Sequence, residues 1–210
     1  EAGPANAQAY SGAEVIVNIS ASPYHFGKGT MREKMLAPRA SDNIAILAYN
    51  NLVGGQDELV FDGHSMIMNE KGQLITRGKQ FEEDLIVADL DVEPVSHTRR
   101  NDPRWRNRTP LLEKPGWRET KLVVTEVPSA SPKPPLPEKQ FQVHSLSGEV
   151  YDALVLGTRD YVLKNSFKNV LIGLSGGVDS SLVAAIAVDA LGSSNVVGVA
   201  MPSRYSSPSS

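Results

Sequence analysis

The chain has 210 residues, 40% of them hydrophobic and 21% charged. That composition excludes wholesale disorder and supports one large domain or two modest ones. Lys plus Arg number 21 against 24 Asp plus Glu, and the net charge of -3 argues against a general nucleic-acid or polybasic membrane binder. There is no cysteine, so disulfides, thiolate metal sites and a cysteine nucleophile are excluded within these residues. No stretch approaches the ~18 continuous apolar residues of a membrane span, and no charged-then-apolar leader opens the chain. A soluble, cytoplasmic protein is expected. Because the chain opens on Glu1 and closes on Ser206-Ser207-Pro208-Ser209-Ser210, both ends are expected to be cuts in a longer polypeptide.

Residues 1–92 form the first region. Pro4 to Tyr10 reads as a short helix ending near Gly12. The apolar run Glu14 to Ile19 reads as a buried strand, followed by a loop from Ser20 to Lys28. A helix is predicted from about Thr30 to Asn43, with Pro38 kinking or dividing it. Ile44 to Tyr49 is a second buried strand. Asp62-Gly63 reads as a turn between Leu59-Val60-Phe61 and Ser65 to Met68. Asn69 to Gly72 is a further turn before Gln73-Leu74-Ile75, and Leu85 to Leu90 is predicted to close the region as a strand. Helices mixed with tight hairpins predict a layered α/β sandwich.

Residues 93–144 differ in character. They hold nine of the 14 prolines: Pro94, Pro103, Pro110, Pro115, Pro128, Pro132, Pro134, Pro135 and Pro137. Such density disfavours long helices and central strands, and the segment reads as an extended connector between domains. Arg99, Arg100, Arg104, Arg106 and Arg108 surround Trp105 within it. Interdomain or intersubunit salt bridges are the expected role of these arginines rather than nucleic acid, given the negative total charge.

Residues 145–210 alternate cleanly. Val150, Leu154, Val155, Tyr161 and Val162 line a helix; Val170 to Leu174 is a buried strand; Ser180 to Leu191 is a helix stopped by Gly192; Val196 to Ala200 is the next strand. Strand, helix and strand form a βαβ unit with parallel strands. One such unit with one leading helix cannot cover both faces of a parallel sheet, so more chain is expected beyond Ser210.

The residues that carry chemistry are Ser175-Gly176-Gly177-Val178-Asp179-Ser180-Ser181, between the strand and the helix. Glycines there permit positive φ and close approach of a ligand. The helix that follows offers unpaired N–H groups and the positive end of its dipole, which suits phosphate. Hydroxyls of Ser175, Ser180 and Ser181 add neutral donors. Asp179 would repel phosphate unless a Mg²⁺ ion bridged the two. As a bare pattern, a tight turn with a first-turn helix charge stands beside the phosphate reading. There is no lysine in the loop, which argues against a kinase-type site.

Ser-Gly-Gly-Val-Asp-Ser after a strand resembles the pyrophosphate loop of the N-type ATP pyrophosphatases. The flanks resemble one branch of them, the glutamine-dependent NAD synthetases. These flanks are Tyr151 to Val162 before the loop, Leu182 to Gly192 after it, and Met201-Pro202-Ser203-Arg204-Tyr205-Ser206-Ser207 beyond. Upstream, Asn18 to Tyr24 and Asn51 to Gly63 resemble the nitrilase-like amidase domain of the same family. The resemblance implies an α/β fold: the C-terminal part of a nitrilase-like αββα sandwich at 1–92, a Pro-rich connector at 93–144, and the start of a Rossmann-like parallel sheet at 145–210.

It also implies amidation of deamido-NAD to NAD through an adenylated intermediate, with glutamine-derived ammonia and release of pyrophosphate. The family's catalytic Glu, Lys and Cys would lie upstream, so these 210 residues are expected to lack glutaminase activity. The resemblance assigns glutamine binding to Ser22 and Lys28. It assigns ATP binding to Gly173, Leu174, Ser175, Gly176, Gly177, Val178, Asp179 and Ser180, and Mg²⁺ to Asp179. Partners implied are ATP, deamido-NAD, glutamine and further copies of the complete protein, with no nucleic acid and no membrane. His25 is a further candidate near the amidase pocket, set against an exposed structural role. Asp57 and Glu58 are a candidate carboxylate pair, with a loop hydrogen-bonding role favoured. Two rival functions are a tRNA-modifying pyrophosphatase and a non-catalytic nucleotide-binding module.

Overall fold

The computed structural model describes residues 3–106, 120, 122–125, 134–136 and 144–201. Helix α1 spans Pro4–Tyr10, with proline in its first turn. Strands β1 (Val15–Ser20) and β2 (Ile46–Asn51) pair in parallel, and helix α2 (Lys28–Asn43) connects them. Strand β5 (Met66–Met68) runs antiparallel to β2, and β6 (Leu74–Arg77) antiparallel to β5, giving the order β1-β2-β5-β6. Between them, β3 (Val53–Gln56) and β4 (Leu59–Asp62) form a separate antiparallel hairpin.

Register decides which side chains form the first core. Ile16 stands beside Leu47, and Met68 and Met66 stand opposite Leu47 and Tyr49. These five share one sheet face, because side chains alternate along a strand. Ala9 of α1 and Leu36 and Ala40 of α2 pack on that face, and Trp105 joins the same cluster. Each large side chain buried there contributes about 1.5–3 kcal/mol. Val17 and Ile19 point the other way and are exposed.

The segment after β6 departs from expectation. Leu85 to Leu90 belongs to no strand; Leu85 and Val87 face solvent. An apolar run makes a strand only where a neighbouring edge supplies ladder hydrogen bonds, and among the described residues none receives this one. Asp62-Gly63 is likewise not a hairpin turn. It carries the chain from the β3–β4 hairpin into the four-stranded sheet. The hairpin turn lies one step earlier, at Asp57-Glu58, with Gln56 paired to Leu59 and Asp57 at φ 49°. Pro38 does not divide α2, which runs unbroken from Lys28 to Asn43. Pro38 and Lys34 both lie on the exposed side, where water can take the carbonyl that proline cannot serve.

Two short helices follow, α3 (Glu93–Asn101) and α4 (Pro103–Arg106). They are docked on the first unit, with Val95 and Trp105 buried. The Arg99 guanidinium donates to the carbonyls of Ala13 at 2.7 Å and Ile44 at 3.0 Å, closing the end of α2. It also lies 4.2 Å from the Trp105 ring centroid. Arg104 pairs locally with Asp102 at 2.7 Å. Arg99 thus serves the first unit, because unsatisfied helix-end carbonyls recruit cations, while Arg104 makes a local pair two residues away rather than the expected bridge between domains. Arg108, the prolines from Pro110 to Pro132, Pro137, and residues 202–210 lie outside the described residues, as does the Arg106 side chain.

The second unit begins with helix α5 (Leu146–Lys164), whose N-cap Ser145 accepts from the Gly148 amide. Strand β7 (Val170–Leu174) leads into helix α6 (Val178–Leu191), and β8 (Val196–Ala200) returns parallel to β7. Tyr151 on α5 donates to Asp189 on α6 at 2.6 Å. The two units meet where α5 lies on the β3–β4 hairpin. Ala153 and Leu156 pack there with Phe81, Tyr24, Val53 and Val60.

Candidate functional site

Two candidate loops lie at strand ends, one in each unit. The first follows β1 and runs to the start of α2. Its shape is set by a buried polar group beneath it. Arg32 donates to Asp62 at 2.9 and 3.2 Å, and both side chains are sealed from solvent. Asn51, at the end of β2, accepts from the Ser22 amide at 2.8 Å and donates to the Ser22 carbonyl at 3.3 Å. The backbone of Ser22 is therefore held by Asn51, while its side chain stays half-buried at the loop surface.

Six residues on, Lys28 opens α2. Gly27 before it is left-handed, and the Lys28 amide donates to the His25 carbonyl at 2.9 Å. A lysine at a helix N-terminus adds to the positive dipole end instead of offsetting it, an arrangement suited to an anionic group. His25 is exposed and contacts its own neighbour, the Phe26 carbonyl, at 3.0 Å. Asp57 and Glu58 are exposed at the hairpin turn, where Gln56 donates to the Asp57 carboxylate at 3.4 Å.

Sequence reasoning did not single out Arg32, Asn51, His64 or Tyr24 as a group. One signal was available. Arg32, Leu36 and Ala40 recur every four residues on α2, so an arginine sits on the buried stripe and requires a carboxylate. His64, also buried, receives Arg77 at 3.3 Å on Nε2. Burial, with Arg77 next in weight, pushes its pKa down to about 4. Tyr24 packs edge-on against Phe81, with ring centroids 5.2 Å apart. Among the described residues its buried hydroxyl has no hydrogen-bond partner, and burial, reinforced by Glu149 and Asp62, pushes its pKa up to about 12. A neutral phenol is thus retained at every physiological pH.

The second loop joins β7 to α6. Gly176 takes φ 78°, which turns the chain sharply at the strand end. Gly177 caps α6 in an extended conformation, with no side-chain cap. The hydroxyls of Ser180 and Ser181 both donate to the Gly177 carbonyl, at 3.0 and 3.1 Å. Ser180 also accepts from the Ser175 amide at 3.3 Å. These serines therefore brace the loop rather than pointing their protons outward. The first-turn amides of α6 have no intrahelical acceptor and face solvent with the dipole's positive end. Gly173 and Leu174 end the strand behind the loop, and Val178 and Asp179 stand exposed in the first turn. Among the described residues, no three His, Asp or Glu side chains cluster to hold a metal by themselves. Nor is any described helix long and apolar enough to cross a membrane.

Comparison with known proteins covers both units. Residues 5–100 match the carbon-nitrogen hydrolase family, and residues 150–210 match the NAD synthase family. The chain is 48% identical over 208 residues to a glutamine-dependent NAD(+) synthetase of Aquifex aeolicus, covering 96% of this chain and 34% of that protein. It is 44% identical to the corresponding protein of Thermotoga maritima, covering 95% of this chain and 34% of that one. Its fold is similar to the glutamine-dependent NAD+ synthetase of Acinetobacter baumannii solved with adenosine diphosphate. That match has a TM-score of 0.70 at 32% identity, over 95% of this chain and 31% of that one. The chain thus spans about a third of the length of these relatives.

Proposed function

We propose that this chain, a homologue of the glutamine-dependent NAD(+) synthetases along nearly all of its length, is the junction of such an enzyme, where an amidase unit hands over to an ATP-using unit. The complete polypeptide would convert deamido-NAD to NAD with ATP and glutamine-derived nitrogen. The observation that carries this reading is the tandem of matches, carbon-nitrogen hydrolase then NAD synthase, on a chain 48% identical to one synthetase over 208 residues.

In this reading the amidase unit, expected from the sequence to end near residue 92, takes in the docked helices α3 and α4 to about residue 106, the connector follows it, and the synthetase unit starts at about 145. The Ser175–Ser180 loop would hold the β- and γ-phosphates of ATP. Gly176 and Gly177 let the backbone approach the phosphates, and the α6 amides donate to them. Because the Ser180 and Ser181 hydroxyls brace Gly177, the cradle is formed before the ligand arrives, which lowers the cost of binding. The acyl carboxylate of deamido-NAD would attack the α-phosphorus, pyrophosphate would leave, and ammonia would then displace AMP.

A lone exposed carboxylate beside a phosphate cradle fits Mg²⁺, which binds through one or two carboxylates together with phosphate oxygens and water. Asp179 would hold it. When bound, the ion neutralises charge on the departing pyrophosphate. In the amidase unit, Ser22 would contact glutamine and Lys28 would pair with its α-carboxylate. Asn51 and the buried Arg32–Asp62 pair would fix the loop that carries Ser22.

The test is Asp179→Asn in the complete polypeptide. ATP-dependent amidation should fall at least about a hundredfold, while glutamine hydrolysis persists. An unchanged amidation rate would remove Asp179 from the phosphate site.

A further inference from the structure

The seam between the units contains a contact that neither candidate site requires. Gly55 lies on the outer edge of the β3–β4 hairpin, where no third strand pairs among the described residues. Its amide donates to Asp160 Oδ2 of α5 at 2.7 Å. Its carbonyl accepts from Lys164, one turn further along the same helix. Two side chains of one helix therefore complete both backbone groups of one strand residue. The closeness of the approach favours glycine on both sides. A Cβ at Gly55 would stand 3.0 Å from the Asp160 Cβ and 3.2 Å from the Gly157 Cα, and one at Gly157 would stand 3.0 Å from Val60 Cγ2.

The contact joins elements that lead from one candidate loop toward the other. The Tyr24 amide, two residues past Ser22, donates to the Val60 carbonyl of β4 at 2.7 Å. Val60 is the cross-strand partner of Gly55. Nine residues earlier on the same helix, Tyr151 donates to Asp189 in the last turn of α6 at 2.6 Å, and the Ser175–Ser180 loop lies at the opposite end of α6, linked to this contact only through the body of that helix.

We propose that Asp160 is a positioning residue, which with Lys164 latches the hairpin supporting the Ser22 loop onto α5 and so sets the register between the glutamine and nucleotide loops. This rests on the function proposed above. A charge-assisted bond to a buried amide is the kind that holds such a register, because losing it strands the amide away from water. By contrast the Arg159 contact to the same carboxylate, at 3.2 Å on the exposed side, adds little.

The test uses the complete polypeptide, with ammonia and glutamine as alternative nitrogen donors. For Asp160→Asn, ammonia-driven NAD formation should stay within about twofold of wild type, while NAD formed per glutamine hydrolysed falls about tenfold. Tyr151→Phe should lower the same ratio, and the double variant should lose less than the product of the two. If Asp160→Asn does not fold, Lys164→Met, on a largely exposed side chain, addresses the same latch. An unchanged ratio, or an equal loss with both donors, overturns the latch and leaves the enzymatic reading intact. A wild-type protein that makes no NAD from either donor overturns the functional reading, and the positioning role with it.

Discussion

Arg32 and Asp62, thirty residues apart, form a bidentate ion pair at 2.9 and 3.2 Å that is closed to solvent and lies directly under the Ser22 carbonyl. A buried pair of this kind contributes little net stability against an apolar replacement, but breaking one partner leaves the other charged and unpaired. Asp62→Asn is therefore expected to destabilise the chain by about 3–5 kcal/mol. Arg32→Met combined with Asp62→Leu should recover part of that loss. Urea denaturation of the three proteins measures both effects. Equal stability of Asp62→Asn and the wild type would contradict them.

Acid sensitivity should trace to His64. Its imidazole ionises only near pH 4 in the folded chain, because burial, then Arg77, and also Arg32 and His144 disfavour the cation more than Asp62 favours it. An unfolded histidine takes its proton near pH ~6.5. Between those values the unfolded state binds more protons, so stability is full above about pH 6.5 and falls as the pH drops toward 4. The loss amounts to roughly 3 kcal/mol in all. His64→Gln should flatten that part of the profile, and a slope unchanged in the variant would locate the titration elsewhere.

The glutamine loop makes a kinetic prediction. Lys28→Ala in the complete polypeptide should raise the KM for glutamine about tenfold, since a charge-assisted contact is lost. Ser22→Ala should raise it less. Neither should alter ammonia-driven amidation. If both variants keep the wild-type KM, the loop after β1 does not bind glutamine. The isolated 210-residue chain, having no cysteine, should hydrolyse none; measurable ammonia release would contradict this.

Where sequence and structure agree, the signal was local. The runs in β1, β2, β7 and β8 form strands where expected because they are apolar and bounded by turn residues, and Ser175 to Ser180 carries its glycines and serines within one short turn. The expected burial of β1 and β7 is not met, since Val17, Ile19 and Leu171 are exposed. What escaped was long-range. Leu85 to Leu90 has strand-like composition but no edge to pair with. Asp62-Gly63 has hairpin-like composition but joins two different sheets. Whether Arg32 finds Asp62 depends on how α2 crosses the hairpin, and Gly55 meets Asp160 across 105 residues. Gly54-Gly55 was visible as a pair of glycines. That a helix would press against them was not.

Mass spectrometry of NAD made by the complete polypeptide from ATP, deamido-NAD and glutamine labelled with ¹⁵N at its amide decides the central claim. One labelled nitrogen should enter each NAD, with one pyrophosphate released per NAD, and Asp179→Asn should abolish both. Pyrophosphate release without NAD, or label passing to a different product, would contradict it.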